Sequence, residues 1–140
     1  RITEALLACG ATVLAVELHP DRAAGLRSRF AGAAVVVIRA DATDLRLPNR
    51  PFKVVANPPF GAATALLRRL TGPRSALEAA SIVLPAWAAA RWTAGRGVGG
   101  MTSKRLFEIR HLGHVPRHAF RPPPPADAAR ILIRRTEAGR

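Results

Sequence analysis

Short apolar blocks rich in β-branched residues, separated by stretches of helical periodicity, most limit the fold open to this chain. Thr12–Leu18 (TVLAVEL) and Val35–Ala40 (VVVIRA) are nearly continuous apolar runs. Such runs predict strands buried on both faces, as in a parallel sheet. Lys53–Asn57 (KVVAN) and Ala79–Leu84 predict two more strands. Helical patterns lie between them. Ile2, Ala5, Leu6 and Cys9 recur at helical spacing, and Gly10 is the expected C-terminal stop. Pro20 and Asp21 open a second helix, with Ala24, Leu26 and Phe30 as its expected buried face. Gly61–Leu70 predicts a third, with Leu66, Leu67 and Leu70 inward and Arg68 and Arg69 outward; Pro85–Thr93 predicts a fourth. This order predicts an α/β fold: a mostly parallel sheet covered on both faces.

The end of the chain differs. Arg105–Val115 and Arg130–Arg135 (RILIRR) predict strands joined by a proline-rich loop, Arg121–Pro125, with no helix between them. Such a connection implies an antiparallel pair at the sheet edge. Gly95–Gly100 (GRGVGG) reads as a flexible loop. With 140 residues, a single domain spanning 1–140 is expected.

Charge narrows the partners. Lys and Arg number 22 against 9 Asp and Glu, a net charge of +13. The excess is uneven: residues 1–90 hold 11 basic and 6 acidic residues, and residues 91–140 hold 11 and 3. A field of this sign favours a polyanion, against the plainer reading of an arginine-decorated surface. No apolar run reaches the length of a membrane-spanning helix. A single cysteine, Cys9, excludes an internal disulfide and a cysteine-based zinc site, and a small buried apolar role is expected for it. His19, His111, His114 and His118 have no ligand spacing, so no metal is expected. A cytoplasmic monomer is the expectation. Trp87 and Trp92 sit five apart, about 140° round a helix. One of them is expected to be exposed, and core packing is preferred over base stacking.

In sheets of this kind, ligands bind beyond the carboxyl ends of the strands. Glu17, Asp41 and Asn57 stand at three such ends. An acid placed as Glu17 is can accept both hydroxyls of a ribose, and one placed as Asp41 is can accept from an adenine amino group. Asn57-Pro58-Pro59-Phe60 is the most informative stretch. Two prolines remove two N–H donors and stiffen the turn. The Asn57 amide oxygen and a neighbouring carbonyl can then accept both hydrogens of an exocyclic amine, leaving its lone pair aimed at an incoming methyl. Phe60 offers a face on which a flipped-out base can stack.

The chain resembles the Erm family of ribosomal RNA adenine-N6 methyltransferases, especially its short actinobacterial members. The stretches that carry the resemblance are RITEALLACGATVLAVELHP, RADATDLRLPNRPFKVVANPPFG and HVPRHAFRPPPPADAARILIRR. The resemblance implies a Rossmann-like class I methyltransferase fold with S-adenosyl-L-methionine as cofactor. It also implies 23S rRNA as partner and resistance to macrolide-type antibiotics as the outcome. Glu17 would hold the cofactor ribose and Asp41 its adenine, and Leu18, Ala42 and Asn57 belong to the same cofactor-binding set. Asn57, Pro58 and Phe60 match residues that receive the target adenine. Arg117, Phe120, Arg121, Arg134 and Arg135 form the expected RNA-facing set.

Pro58 departs from the Ile or Leu usual in the family. The family's glycine-rich cofactor loop would precede Arg1, and its helical C-terminal domain would follow Arg140. Residues 1–140 alone are therefore expected to bind S-adenosylmethionine poorly; micromolar binding by calorimetry would contradict this. Rival readings are a 16S rRNA or DNA adenine methyltransferase, a protein glutamine-N5 methyltransferase, and an RNA-binding protein with a lost cofactor site.

Overall fold

The structure, a computed structural model, describes residues 2–96 and 105–140. It divides into two compact units, Arg1–Arg46 and Leu47–Arg140.

The first unit runs α1 (Ile2–Ala8), β1 (Val13–Glu17), α2 (Pro20–Arg29) and β2 (Val35–Arg39). Gly10 ends α1 at φ +77°, a value that favours glycine. Its N–H bonds the Leu7 carbonyl at 2.9 Å, and the Ala11 N–H bonds that of Leu6 at 3.1 Å. This pair of bonds is a Schellman cap. β1 and β2 pair in parallel from Val13↔Val35 to Glu17↔Arg39, and the crossover between them is α2. Pro20 fits its first turn, Asp21 meets the positive end of the helix dipole, and Arg27 and Arg29 meet the negative end. An ion pair between Glu4 and Arg29 ties α1 to α2.

Three expectations fail here. The buried residue of α2 is Ala23, while Ala24 is exposed; Leu26 and Phe30 are half-buried as expected, and Ala23 takes the place of Ala24 on their face. Cys9 is exposed, because α1 ends before it and buries none of its residues. The strands are not buried on both faces. Leu14 and Val36 lie opposite each other in register and are 47% and 54% exposed. Two short helices cannot cover both sides of a strand pair that is apolar up to its last residues, Glu17 and Arg39.

The second unit runs β3 (Phe52–Ala56), α3 (Phe60–Leu70), β4 (Leu77–Pro85), α4 (Ala86–Thr93), β5 (Phe107–Val115) and β6 (Ala128–Arg135). Its sheet order is β3-β4-β6-β5. β3 and β4 are parallel, and β6 is antiparallel to both β4 and β5. The α/β class and the antiparallel edge pair thus match the expectation, although the strands form two sheets, β1–β2 and this one.

One face of the four-stranded sheet carries the core. Ile82, Leu84, Ile131 and Ile133 are fully buried there, with Leu66, Leu67 and Leu70 of α3 and Ala89 and Trp92 of α4. Each fully buried Leu or Ile contributes roughly 1.5–3 kcal/mol. Leu66, Leu67 and Leu70 point inward as predicted and Arg68 is exposed, while Arg69 is half-buried. On the opposite face Lys53, Arg130 and Arg134 are exposed and Val55 is 45% exposed. Among the described residues this face is only partly covered, with Ser81, Val83 and Leu132 half-buried, because α3 and α4 both serve the other face. Of the GRGVGG loop, residues 97–100 lie outside the described residues. Among those described, no helix is long and apolar enough to cross a membrane.

Candidate active site and nucleic-acid interface

In the first unit the two acids stand at the carboxyl end of a parallel strand pair. Glu17 is the last residue of β1 and pairs in register with Arg39 of β2, two residues before Asp41. The Glu17 Oε1 accepts the His19 N–H at 2.8 Å, with Arg22 Nε 4.0 Å away. The Asp41 Oδ1 accepts the Thr43 hydroxyl at 2.7 Å and the Thr43 N–H at 2.8 Å. Those bonds, the hydroxyl's first, lower the Asp41 pKa and keep it an ionised acceptor. Leu18 is 63% exposed beside Glu17, and Ala42 is half-buried beside Asp41. Anionic acceptors flanked by an open apolar side chain suit a nucleoside, whose sugar and base need both.

In the second unit Asn57 follows the last residue of β3 and is exposed. Pro59 is the N-cap of α3, at φ −52° and ψ 139°, and Phe60 is the first helical residue. The Pro59 carbonyl accepts the Ala62 N–H at 2.9 Å, so the turn leads directly into the helix. Neither proline has an N–H, which leaves acceptors as the main polar groups of the turn. Pro58 and Phe60 are half-buried.

The β5–β6 connection closes at the same end of this sheet, because Pro85 pairs with Ala128 and Ala128 with Val115. Asp127 organises it. Its Oδ2 lies 3.0 Å from His114 Nε2, its Oδ1 accepts the Arg117 N–H at 2.7 Å, and its carbonyl accepts the Ala86 N–H at 2.9 Å. The Arg117 N–H chiefly, and His114 after it, lowers the Asp127 pKa. One residue thus joins the end of β5, the 3-10 turn Arg117–Ala119 and the start of α4. Its only signal in the sequence is an acid closing the proline run. The loop it holds presents Arg117 and Arg121, both exposed, with Phe120 half-buried between them, and the Arg121–Pro122 peptide is cis.

Arg134 and Arg135 are not brought to this loop. Arg134 pairs with Ala79, near the start of β4, and so lies toward the opposite end of the sheet from Asn57. It lies six residue steps along β6 from Ala128, roughly 20 Å. Arg135 is committed to the protein itself. Its Nε and Nη1 donate to the carbonyls of Leu77 at 2.7 Å and Gly139 at 2.8 Å, and its Nη2 to that of Ser75. Its guanidinium also stacks 4.5 Å from the Phe107 ring centroid. A side chain held this way is a structural clamp, which corrects its expected place in an RNA-facing set. Among the described residues no three His, Cys, Asp or Glu side chains group as metal ligands do.

A family profile described as ribosomal RNA adenine dimethylase matches residues 1–138. The chain belongs to that family. Among its relatives, the rRNA adenine N-6-methyltransferase of Corynebacterium diphtheriae is 36% identical, covering 96% of this chain and 53% of the relative. The mycinamicin-resistance protein MyrB of Micromonospora griseorubida is also 36% identical, covering 98% and 44%. The ribosomal RNA small subunit methyltransferase A of a Synechococcus strain is 33% identical, covering 95% and 51%. The crystal structure of the 23S rRNA methyltransferase ErmE matches with a TM-score of 0.81 at 28% identity, over 90% of this chain and 53% of that one. The chain therefore spans about half the length of the curated relatives it matches. A dimethyladenosine transferase from Plasmodium falciparum, at 21% identity and a TM-score of 0.75, shares the fold.

Proposed function

We propose that this chain is catalytic core of an rRNA adenine-N6 methyltransferase that uses S-adenosyl-L-methionine and acts on 23S rRNA. The observation that carries the reading is the Asn57-Pro58-Pro59-Phe60 turn at the carboxyl end of β3, opening α3. The acids of the first unit suit the cofactor by their chemistry. Glu17 would hold its ribose hydroxyls, Asp41 its adenine amino group, and Leu18 and Ala42 would flank the base. When bound, the cofactor supplies an electrophilic methyl group.

Everything else falls to the second unit. The Asn57 side-chain oxygen and a carbonyl of the proline turn accept the two hydrogens of the adenine amine. That fixes the nitrogen lone pair and increases its electron density. Phe60 stacks on the base, a contribution of about 1–3 kcal/mol. No general base is needed before transfer, since the nitrogen loses its proton to water after it gains the methyl. Positioning and electrostatics carry the catalysis. Arg117, Phe120 and Arg121 face the RNA beside this turn, and Arg134 adds a separate phosphate contact.

A 16S target is the second reading, favoured by relatives named small-subunit rRNA methyltransferases. The test incubates full-length protein and labelled S-adenosylmethionine with protein-free 23S rRNA, 16S rRNA, duplex DNA and release factor, each apart. Label in 23S rRNA is expected. Label in 16S rRNA alone would move the substrate, and label in release factor alone would defeat the reading.

A further inference from the structure

The second unit contains two strand-to-helix turns built alike, and the proposed target-adenine site occupies one of them. β3 ends, Pro59 caps α3 at φ −52° and ψ 139°, and Phe60 follows. In the adjacent parallel strand β4 ends, Pro85 caps α4 at φ −52° and ψ 138°, and Trp87 is the second helical residue. Neighbouring strands run about 4.8 Å apart. Each turn therefore carries an aromatic in the first helical turn at the same end of one sheet.

Trp87 has no packing reason to be there. It is 59% exposed, while Trp92 of the same helix is 4% exposed and fills the core with Ala88 and Ala89. A large aromatic left in water forgoes the burial that ordinarily accounts for tryptophan. Arg91, one turn on and on the same face, is exposed too. The adjoining loop adds exposed Arg117 and Arg121, and its one acid, Asp127, is already bonded to His114 and to the Arg117 N–H. An exposed aromatic on a helix face that also carries an arginine, next to a loop bearing two more, is the composition of a stacking platform for single-stranded nucleic acid.

We propose that Trp87, backed by Arg91, stacks an unpaired RNA base neighbouring the target adenine, the two turns together holding consecutive unstacked nucleotides. This rests on the reading of the chain as an RNA methyltransferase and names a second base-binding position within it.

The test uses full-length protein and a protein-free 23S rRNA fragment. Trp87→Ala should raise the RNA KM about tenfold, the worth of one base stack, and leave kcat within about twofold. Trp87→Phe should recover most of the affinity. RNA should quench an exposed tryptophan emission in the native protein, and this quenching should vanish in Trp87→Phe, whose buried Trp92 still reports a folded core. An unchanged KM in Trp87→Ala, or quenching that survives in Trp87→Phe, overturns the proposal. Should the native protein methylate no RNA, the functional reading falls, and the quenching titration still decides whether Trp87 meets RNA.

Discussion

The two units use apolar sequence very differently. Of the buried apolar side chains, Val13 and Ala23 belong to residues 1–46, and all the rest belong to residues 47–140. Yet VVVIRA is no less apolar than SIVLP. The difference lies in what each strand has beside it. β4 is flanked by β3 and β6 and covered by α3 and α4, whereas among the described residues β1 pairs only with β2. An apolar run states a capacity for burial, and neighbours decide whether it is realised. The chemistry follows the same division. On the proposed reading, the well-packed unit holds the turn that would accept the amine, where positional precision matters to catalysis, and the sparsely packed unit holds the acids that would bind the cofactor.

Asn57→Ala should lower methyl transfer by at least about a hundredfold, as loss of one preorganised polar contact does, with RNA affinity nearly unchanged in a binding assay. In contrast, Glu17→Gln should act mainly on the cofactor KM. Core truncation should separate the units next. Ile131→Ala, at a site with no exposure, should cost about 2–5 kcal/mol in denaturant unfolding. Leu14→Ala, at 47% exposure, should cost less than about 1 kcal/mol. A larger loss at Leu14 would mean that β1 is covered in solution. Arg135→Lys should destabilise the second unit by about 1–3 kcal/mol, because one ammonium cannot reach three carbonyls and a ring.

The smallest effect is in pH. Asp127 has a depressed pKa in the fold, so its contribution is present above the unfolded value, about 4, and is lost as pH falls through the lower folded value. Asp127→Asn should remove that acid-limb dependence from the order of the Arg117–Ala119 turn, as followed by amide exchange.

What was legible in the sequence is what local chemistry dictates. Gly10 as a helix stop, Leu66, Leu67 and Leu70 as an inward face, and two strands linked without a helix all follow from spacing and backbone preference. The placement of Asn57 just past a strand was legible too, since two prolines end the ladder there. Exposure at Leu14 and Val36 was not legible, because an apolar run does not say how many elements will cover it, and that at Cys9 was not because it turns on α1 stopping one residue short of it. Nor was the role of Arg135. An arginine in an RILIRR run looks like surface charge until Ser75 and Leu77 are seen to come up beside it. Asp127 was missed for a related reason: its partners are His114, Arg117 and Ala86, set by the return of β6 between β4 and β5.

The central claim is that the Asn57 turn presents an adenine amine for methylation. Nucleoside mass spectrometry of 23S rRNA treated with full-length protein tests it most directly. N6-methylated adenosine that disappears with Asn57→Ala is the predicted result. Methylation at a ring nitrogen or on another base, or an Asn57→Ala protein that still forms the N6 product at the native rate, would contradict it.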